Sequence, residues 1–226
     1  MSEDEAREYP DLMGIVEEKV KPDRKKKPGS YSRQWWLFGR RNKEGNNAIA
    51  PLERVLVVAR HQHNWSIAFV SANIVFSEGL VILALPTYSA FCILQSRIHE
   101  IWVRFFGSSL EDRLRYTPSD CFETFPFPEN WETNPKLEAA GKEYYEYRAE
   151  LMVRNNQGLT ETYNRFHNPE ENHPEIIKLR ELHTQMDKAV LEAYGWTDIP
   201  TECEFLLDYE DEEDDKEKPH PKQKKE

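Results

Sequence analysis

Residues 86–128, PTYSAFCILQSRIHEIWVRFFGSSLEDRLRYTPSDCFETFPFP, constrain the fold more than any other stretch. The first half has a helical period. Phe91, Leu94, Ile98, Ile101, Trp102 and Phe105 recur at three- and four-residue steps and make one apolar stripe. Thr87 supplies an N-cap and Gly107 a stop, so a single helix is expected over 87–107. The second half is irregular and rich in donors. It ends in Phe122, Phe125-Pro126 and Phe127-Pro128, and such aromatic–proline pairs continue neither a helix nor a central strand. An extended strap held to the core by its rings is expected there.

The stretches upstream have strand character. ERVLVVAR (53–60) is nearly continuously apolar, and WSIAFV (65–70), NIVF (73–76) and GLVILAL (79–85) follow with tight connections. They predict a small antiparallel sheet on which the 87–107 helix packs. His61-Gln62-His63-Asn64 between the first two strands is polar and turn-like. Residues 3–20 fit one amphipathic helix with Tyr9, Leu12, Met13, Val16 and Val20 on a face, ended by Pro22. KPDRKKKPGS (21–30) predicts a mobile basic hinge, and YSRQWWLFGRR (31–41) brings Trp35 and Trp36 for packing.

After Pro128 the composition changes. Asn134-Pro135 opens a helix to about residue 154, with Leu137, Ala140, Tyr144, Tyr147 or Arg148, and Leu151 in its stripe. A polar connection over 155–174 leads to a second helix from His173-Pro174 to Gly195. The two are expected to pair as an antiparallel hairpin. The end of the chain, DYEDEEDDKEKPHPKQKKE, buries nothing and is expected to be disordered. The sequence therefore predicts an α+β fold: a small antiparallel sheet packed by a helix, then an α-helical hairpin and an acidic tail. The expected divisions are 1–30, 31–128, 129–200 and 201–226.

The formal net charge of −11 alone argues against a nucleic-acid partner, but charge is unevenly spread. Residues 21–116 carry 15 Lys/Arg and 7 Asp/Glu, a balance of +8, between acidic flanks. Phosphate binding responds to the local field rather than the total. An unevenly charged solvated surface explains the same composition. No apolar run is long enough for a transmembrane helix, and the acidic N-terminus is no secretory signal. Cys92, Cys121 and Cys203 are widely spaced and read as free thiols of a reducing cytoplasm.

Three pieces carry a family resemblance: Ser96-Arg97-Ile98-His99-Glu100-Ile101-Trp102, Arg113-Leu114-Arg115-Tyr116-Thr117-Pro118-Ser119, and Cys121-Phe122-Glu123-Thr124-Phe125-Pro126-Phe127-Pro128. Together they resemble the end of the target recognition domain of MmeI-like restriction–modification enzymes, which join an adenine-specific DNA methyltransferase to a DNA recognition module. The resemblance extends back to Trp35-Trp36 and forward to Ala193-Tyr194-Gly195-Trp196. It implies double-stranded DNA as a partner, together with a methyltransferase catalytic domain or subunit, and no membrane. It implies phosphate contacts by the arginines between 33 and 60, among them Arg33, Arg40, Arg41 and Arg60, and by Arg113 and Arg115. It implies base reading by two loops, one with His61, Gln62, His63 and Asn64, the other with Ser108, Arg113, Arg115, Tyr116, Thr117 and Ser119.

Each set also has a plainer reading. The 60–64 loop reads equally as a polar hairpin turn, and Arg113 and Arg115 can pair with Glu111, Asp112 or Glu100. His61 and His63 flank one residue as two zinc ligands do, but no third ligand is near in sequence. Asp11, Glu17 and Lys19 mimic a nuclease set, but on one predicted helix. The nine glycines form no G-x-G, and Asn134-Pro135 and Asn168-Pro169 lack the second proline and aromatic residue of an amino-methyltransferase. S-adenosylmethionine is thus expected in a missing catalytic domain, with no cofactor in this chain, which is expected to be inactive alone. The alternative is a stand-alone specificity subunit or an acidic DNA mimic.

Overall fold

The structure is a computed structural model that describes residues 1–38, 42–110 and 113–201; of Lys43 and residues 108–110 only the backbone is described. It divides into two compact units, Met1–Pro51 and Leu52 onward. The division differs from the expected breaks after 30 and 128. Trp35 shares a small core with Ala6 and Met13, and Leu137 and Tyr144 share one core with Leu56 and Phe91. The acidic tail from residue 202 onward lies outside the described residues.

In the first unit the described residues form α1 (Glu3–Arg7), α2 (Pro10–Lys19), α3 (Lys21–Lys25), α4 (Ser30–Arg33) and α5 (Lys43–Ile49). The expected 3–20 helix is interrupted because Pro10 lacks an N–H and takes the first turn of α2. Ser2 and Glu5 close a capping box on α1. Of the five apolar residues expected on one face, Met13 is buried and Val16 packs beside it, whereas Tyr9 and Leu12 are exposed. The basic hinge is helical through Lys25. Pro22 sits in the first turn of α3, where proline is tolerated, and the cations find partners. The Lys21 ammonium lies 4.4 Å over the Trp35 ring, and Arg24 donates to the Leu37 carbonyl at 2.7 Å.

The second unit is α+β. Its described elements are β1 (Arg54–Ala59), β2 (His61–Gln62), β3 (Ile67–Ser71), β4 (Leu80–Leu83), α6 (Tyr88–Gln95), α7 (Arg97–Phe106), β5 (Ser108–Leu110), β6 (Arg113–Arg115), α8 (Pro118–Cys121), α9 (Pro135–Asn155), α10 (Leu159–Phe166) and α11 (Pro174–Tyr194). They build two antiparallel three-stranded sheets, ordered β3-β1-β4 and β2-β6-β5. β1 is central in the first, and its run Val55–Val58 is buried throughout. Residues 73–76, expected as a strand, instead lie in the crossover from β3 to β4. Both edges of β1 are already taken, by β3 and β4.

The long helix expected over 87–107 is two helices. Ser96 is extended (ψ 158°), its hydroxyl donates to the Ile93 carbonyl at 2.6 Å, and it caps α7 by accepting from the His99 N–H. A serine offering its own hydrogen bonds to the backbone competes with helix continuation. α6 is buried on all sides, from Ser89 to Gln95, between the first sheet and α9. The stripe divides accordingly: Phe91 and Leu94 are core, whereas Ile101 and Phe105, also expected inside, are exposed. Asp187 of α11, itself buried, accepts from the Arg97 N–H at 2.9 Å and so fixes the start of α7.

α9 and α11 pair as the hairpin predicts, opened by Asn134 and His173 caps. The polar connection between them is not wholly irregular, because α10 forms within it after Gly158, with Glu161 returning to the Gly158 N–H at 3.0 Å. The buried positions of α9 are Leu137, Gly141, Tyr144, Arg148 and Leu151. Arg148 carries its charge into the core with neutral partners: the Ile67 carbonyl and the Tyr163 hydroxyl at 2.9 Å each, and Gln95 Oε1 at 3.3 Å. Four aromatic rings surround it. The strap after α8 is pinned by rings, with Phe125 at 4.4 Å from His99 and Phe127 at 4.9 Å from Trp131. Among the described residues no helix is long and apolar enough to cross a membrane.

Candidate nucleic-acid interface

The two stretches expected to read bases meet in the second sheet. β2 carries His61 and Gln62 of the first stretch and β6 carries Arg113–Arg115 of the second, with His61 opposite Arg115 and Gln62 opposite Leu114. On its other edge β6 pairs with β5, so Ser108 is also opposite Arg115. Directly opposed residues of antiparallel strands point to the same face, and alternate residues to opposite faces. His61, Arg113 and Arg115 therefore share one face, and all three are exposed. Leu114 and Gln62 share the other. Leu114 is buried, and Gln62 uses its Oε1 on its own turn, accepting from the Ser66 N–H at 3.3 Å, while its Nε2 is buried without a hydrogen-bond partner.

The sheet is rigidly backed. Trp65, His99, Tyr116 and Phe125 form a buried aromatic cluster beneath it, with Trp65 and Tyr116 at 5.3 Å between ring centres. The Trp65 indole N–H donates to the Leu94 carbonyl at 2.9 Å. Tyr116, expected as an outward donor, is instead 1% exposed, with its hydroxyl 3.2 Å from His99 Nε2. The alternation of β6 is the reason: a residue following an exposed Arg115 points inward. Burial raises the Tyr116 phenol far above its ordinary range and depresses the His99 imidazole to about 3. Both are neutral at physiological pH, so neither adds charge to the surface.

Arg60 joins the two sheets. Its N–H donates to the Gly79 carbonyl and its carbonyl accepts from the Tyr116 N–H, each at 2.9 Å. Its exposed side chain is braced, with Nε donating to the Glu78 carbonyl at 2.7 Å. His63 is exposed, while Asn64 is half-buried and donates to Asn164 at 2.8 Å, which ties the loop to α10. Thr117 is half-buried at the start of α8, and Ser119 is exposed and donates to Asp120 at 2.8 Å.

Arg33 is exposed and belongs to the first unit, and Arg40 and Arg41 lie outside the described residues. So do Glu111 and Asp112, two of the carboxylates considered as partners for Arg113 and Arg115. The third, Glu100, is held by Arg104 at 2.6 Å. Among the described residues no cluster of three or more His, Cys, Asp or Glu is placed to hold a metal ion, so the His61–His63 pair gains no third ligand. Cys92 and Cys121 are free and buried.

The family model for the target recognition domain of MmeI matches residues 2–129, more than half of the chain. The chain belongs to the MmeI target recognition domain family. Its structure also resembles a solved structure of the Type IIL restriction-modification enzyme MmeI in complex with DNA. That match has a TM-score of 0.54 and 22% identity, over 82% of this chain and 24% of that one. At this identity the match speaks for a shared fold, and the chain spans about a quarter of the length of MmeI. No curated protein matches the chain. The MmeI target recognition domain match covers both sheets, whereas the structural match, at 82% of the chain, must also take in part of α9–α11.

Proposed function

We propose that this chain recognises a DNA sequence as part of an adenine-specific restriction–modification or methyltransferase system. Methyl transfer would come from a catalytic domain or subunit that binds S-adenosylmethionine. The observation that carries the reading is the pair Arg113 and Arg115, exposed two residues apart on one face of a short sheet, in a target recognition domain. Guanidinium groups recognise guanine O6 and N7 bidentately in the major groove, and a β-ribbon fits that groove. Leu114 and Tyr116 anchor the backbone on either side of Arg115, so its base can be read from a fixed support. Arg60 and Ser119 flank this face as phosphate contacts that set register. Together these groups favour DNA binding over the acidic-mimic reading, which needs an acidic face here.

Binding of the purified chain to duplex DNA across a salt series tests this. Log affinity should fall with log salt, with a slope of roughly −0.9 for each phosphate neutralised by an arginine or lysine. Undetectable binding at low salt, or affinity flat with salt, overturns the reading.

A further inference from the structure

Residues 73–76 are expected as a strand; in the crossover 72–79 Ile74 and Val75 are instead in solvent, while Phe76 is half-buried. β3 ends opposite the start of β1 and β4 begins opposite its end, with Ser71 facing Arg54 and Leu80 facing Ala59. The crossover therefore runs back along β1 and is pinned at both ends. Ala72 N–H donates to the Glu53 carbonyl at 3.0 Å, and Asn73 N–H to Ser71 Oγ at 3.2 Å. At the far end Gly79 N–H donates to Ser77 Oγ at 3.2 Å and Leu80 N–H to the Ser77 carbonyl at 3.1 Å. Between these pins Ile74 is 51% and Val75 99% exposed. Valine's β-branch restricts χ1, so presenting it costs little side-chain entropy.

The loop is physically joined to the candidate interface. Glu78, three residues after Val75, holds the Arg60 side chain, and Gly79 holds the Arg60 N–H. Three residues span at most about 10 Å, or roughly three base pairs of duplex. We propose that Val75 is a further specificity-determining residue, making an apolar contact with the 5-methyl group of a thymine. The contact falls in the major groove, because only that edge of the pair carries the methyl, and it is the edge an arginine reads on guanine. This inference rests on the DNA reading above, and the experiment separates the two.

A preferred site is selected with the full chain from a random duplex pool. Each thymine is then replaced singly by deoxyuridine, which removes the methyl and leaves the base pairing. At one position the parent chain should lose about fourfold in affinity, the factor for one buried methyl group. The Val75→Ala chain should show no loss at that position while binding the thymine site more weakly, with unchanged thermal unfolding. Equal losses in both proteins, no sensitive position, or a selected site without thymine overturns the inference and leaves duplex binding standing. Failure of the parent chain to bind any duplex overturns both.

Discussion

Lowering the pH from 6.5 toward 3 should remove on the order of 5 kcal/mol of stability through His99 alone. The imidazole is fully buried among Trp65, Tyr116 and Phe125, and burial depresses its pKa from 6.5 to about 3. Above 6.5 both folded and unfolded states hold it neutral. Between 6.5 and 3 the unfolded chain binds a proton that the fold refuses, so stability falls as pH falls. The drop is about 1.4 kcal/mol for each pH unit over that window. His99→Gln removes the titration and should unfold more easily at neutral pH. Chemical denaturation from pH 7 to 4 would then show a shallower acid slope in His99→Gln than in the parent. Equal slopes would mean that the imidazole is solvated or finds a partner for its proton.

Gly141→Ala should destabilise the second unit by about 3 kcal/mol, the upper end of the usual overpacking cost. A Cβ there would stand 2.2 Å from the Tyr88 carbonyl oxygen and 2.9 Å from Cys92 Cβ. The obstacle is backbone of α6, which cannot rotate away, so α9 would have to lift from the helix it packs against. For a domain of this size the melting temperature should fall by roughly 6–12 °C. Gly14→Ala is the opposite case: the glycine is inside α2 with nothing within 4 Å of a new Cβ. It should gain about 0.5–1 kcal/mol from helix propensity. A neutral result at Gly141 would show that α6 and α9 are not in such close contact.

The contrast between these glycines marks where sequence reasoning stops. The helices α9 and α11 are legible because their period is long and their caps, Asn134-Pro135 and His173-Pro174, are unambiguous. β1 is legible from Val55–Val58, a short, largely β-branched apolar run that suits a strand buried on both faces. Gly141 is not, since its importance is a close approach between helices about 50 residues apart. The break at Ser96 also escapes periodicity, because α6 and α7 keep nearly the same stripe in sequence while one hydroxyl redirects the chain. NIVF has strand composition, but β1 has no free edge to pair with it.

The meeting of the two stretches in one sheet, and their division into faces, is not legible in the sequence. Arg113, Arg115 and His61 come together only through the β2–β6 register, which no local pattern encodes. Tyr116 reads as a donor by its residue type, and the same register turns it into the core. Once β6 is known to be a strand, alternation places each residue correctly. The lysines at 25–27 differ in kind: they are exposed around the end of α3, with Lys26 paired to Asp23 and Lys27 over the Tyr31 ring.

The most direct test of base reading by this face is the binding of the Arg115→Ala chain to every single-base variant of the selected site. Discrimination should relax at one base pair by about 1–3 kcal/mol, while preferences at all other positions keep their order. Replacing Lys25, Lys26 and Lys27 by alanine should weaken every variant alike and lower the salt slope. If Arg115→Ala also weakens every variant by one common factor, Arg115 contacts phosphate, and the claim that this face reads sequence through it is wrong.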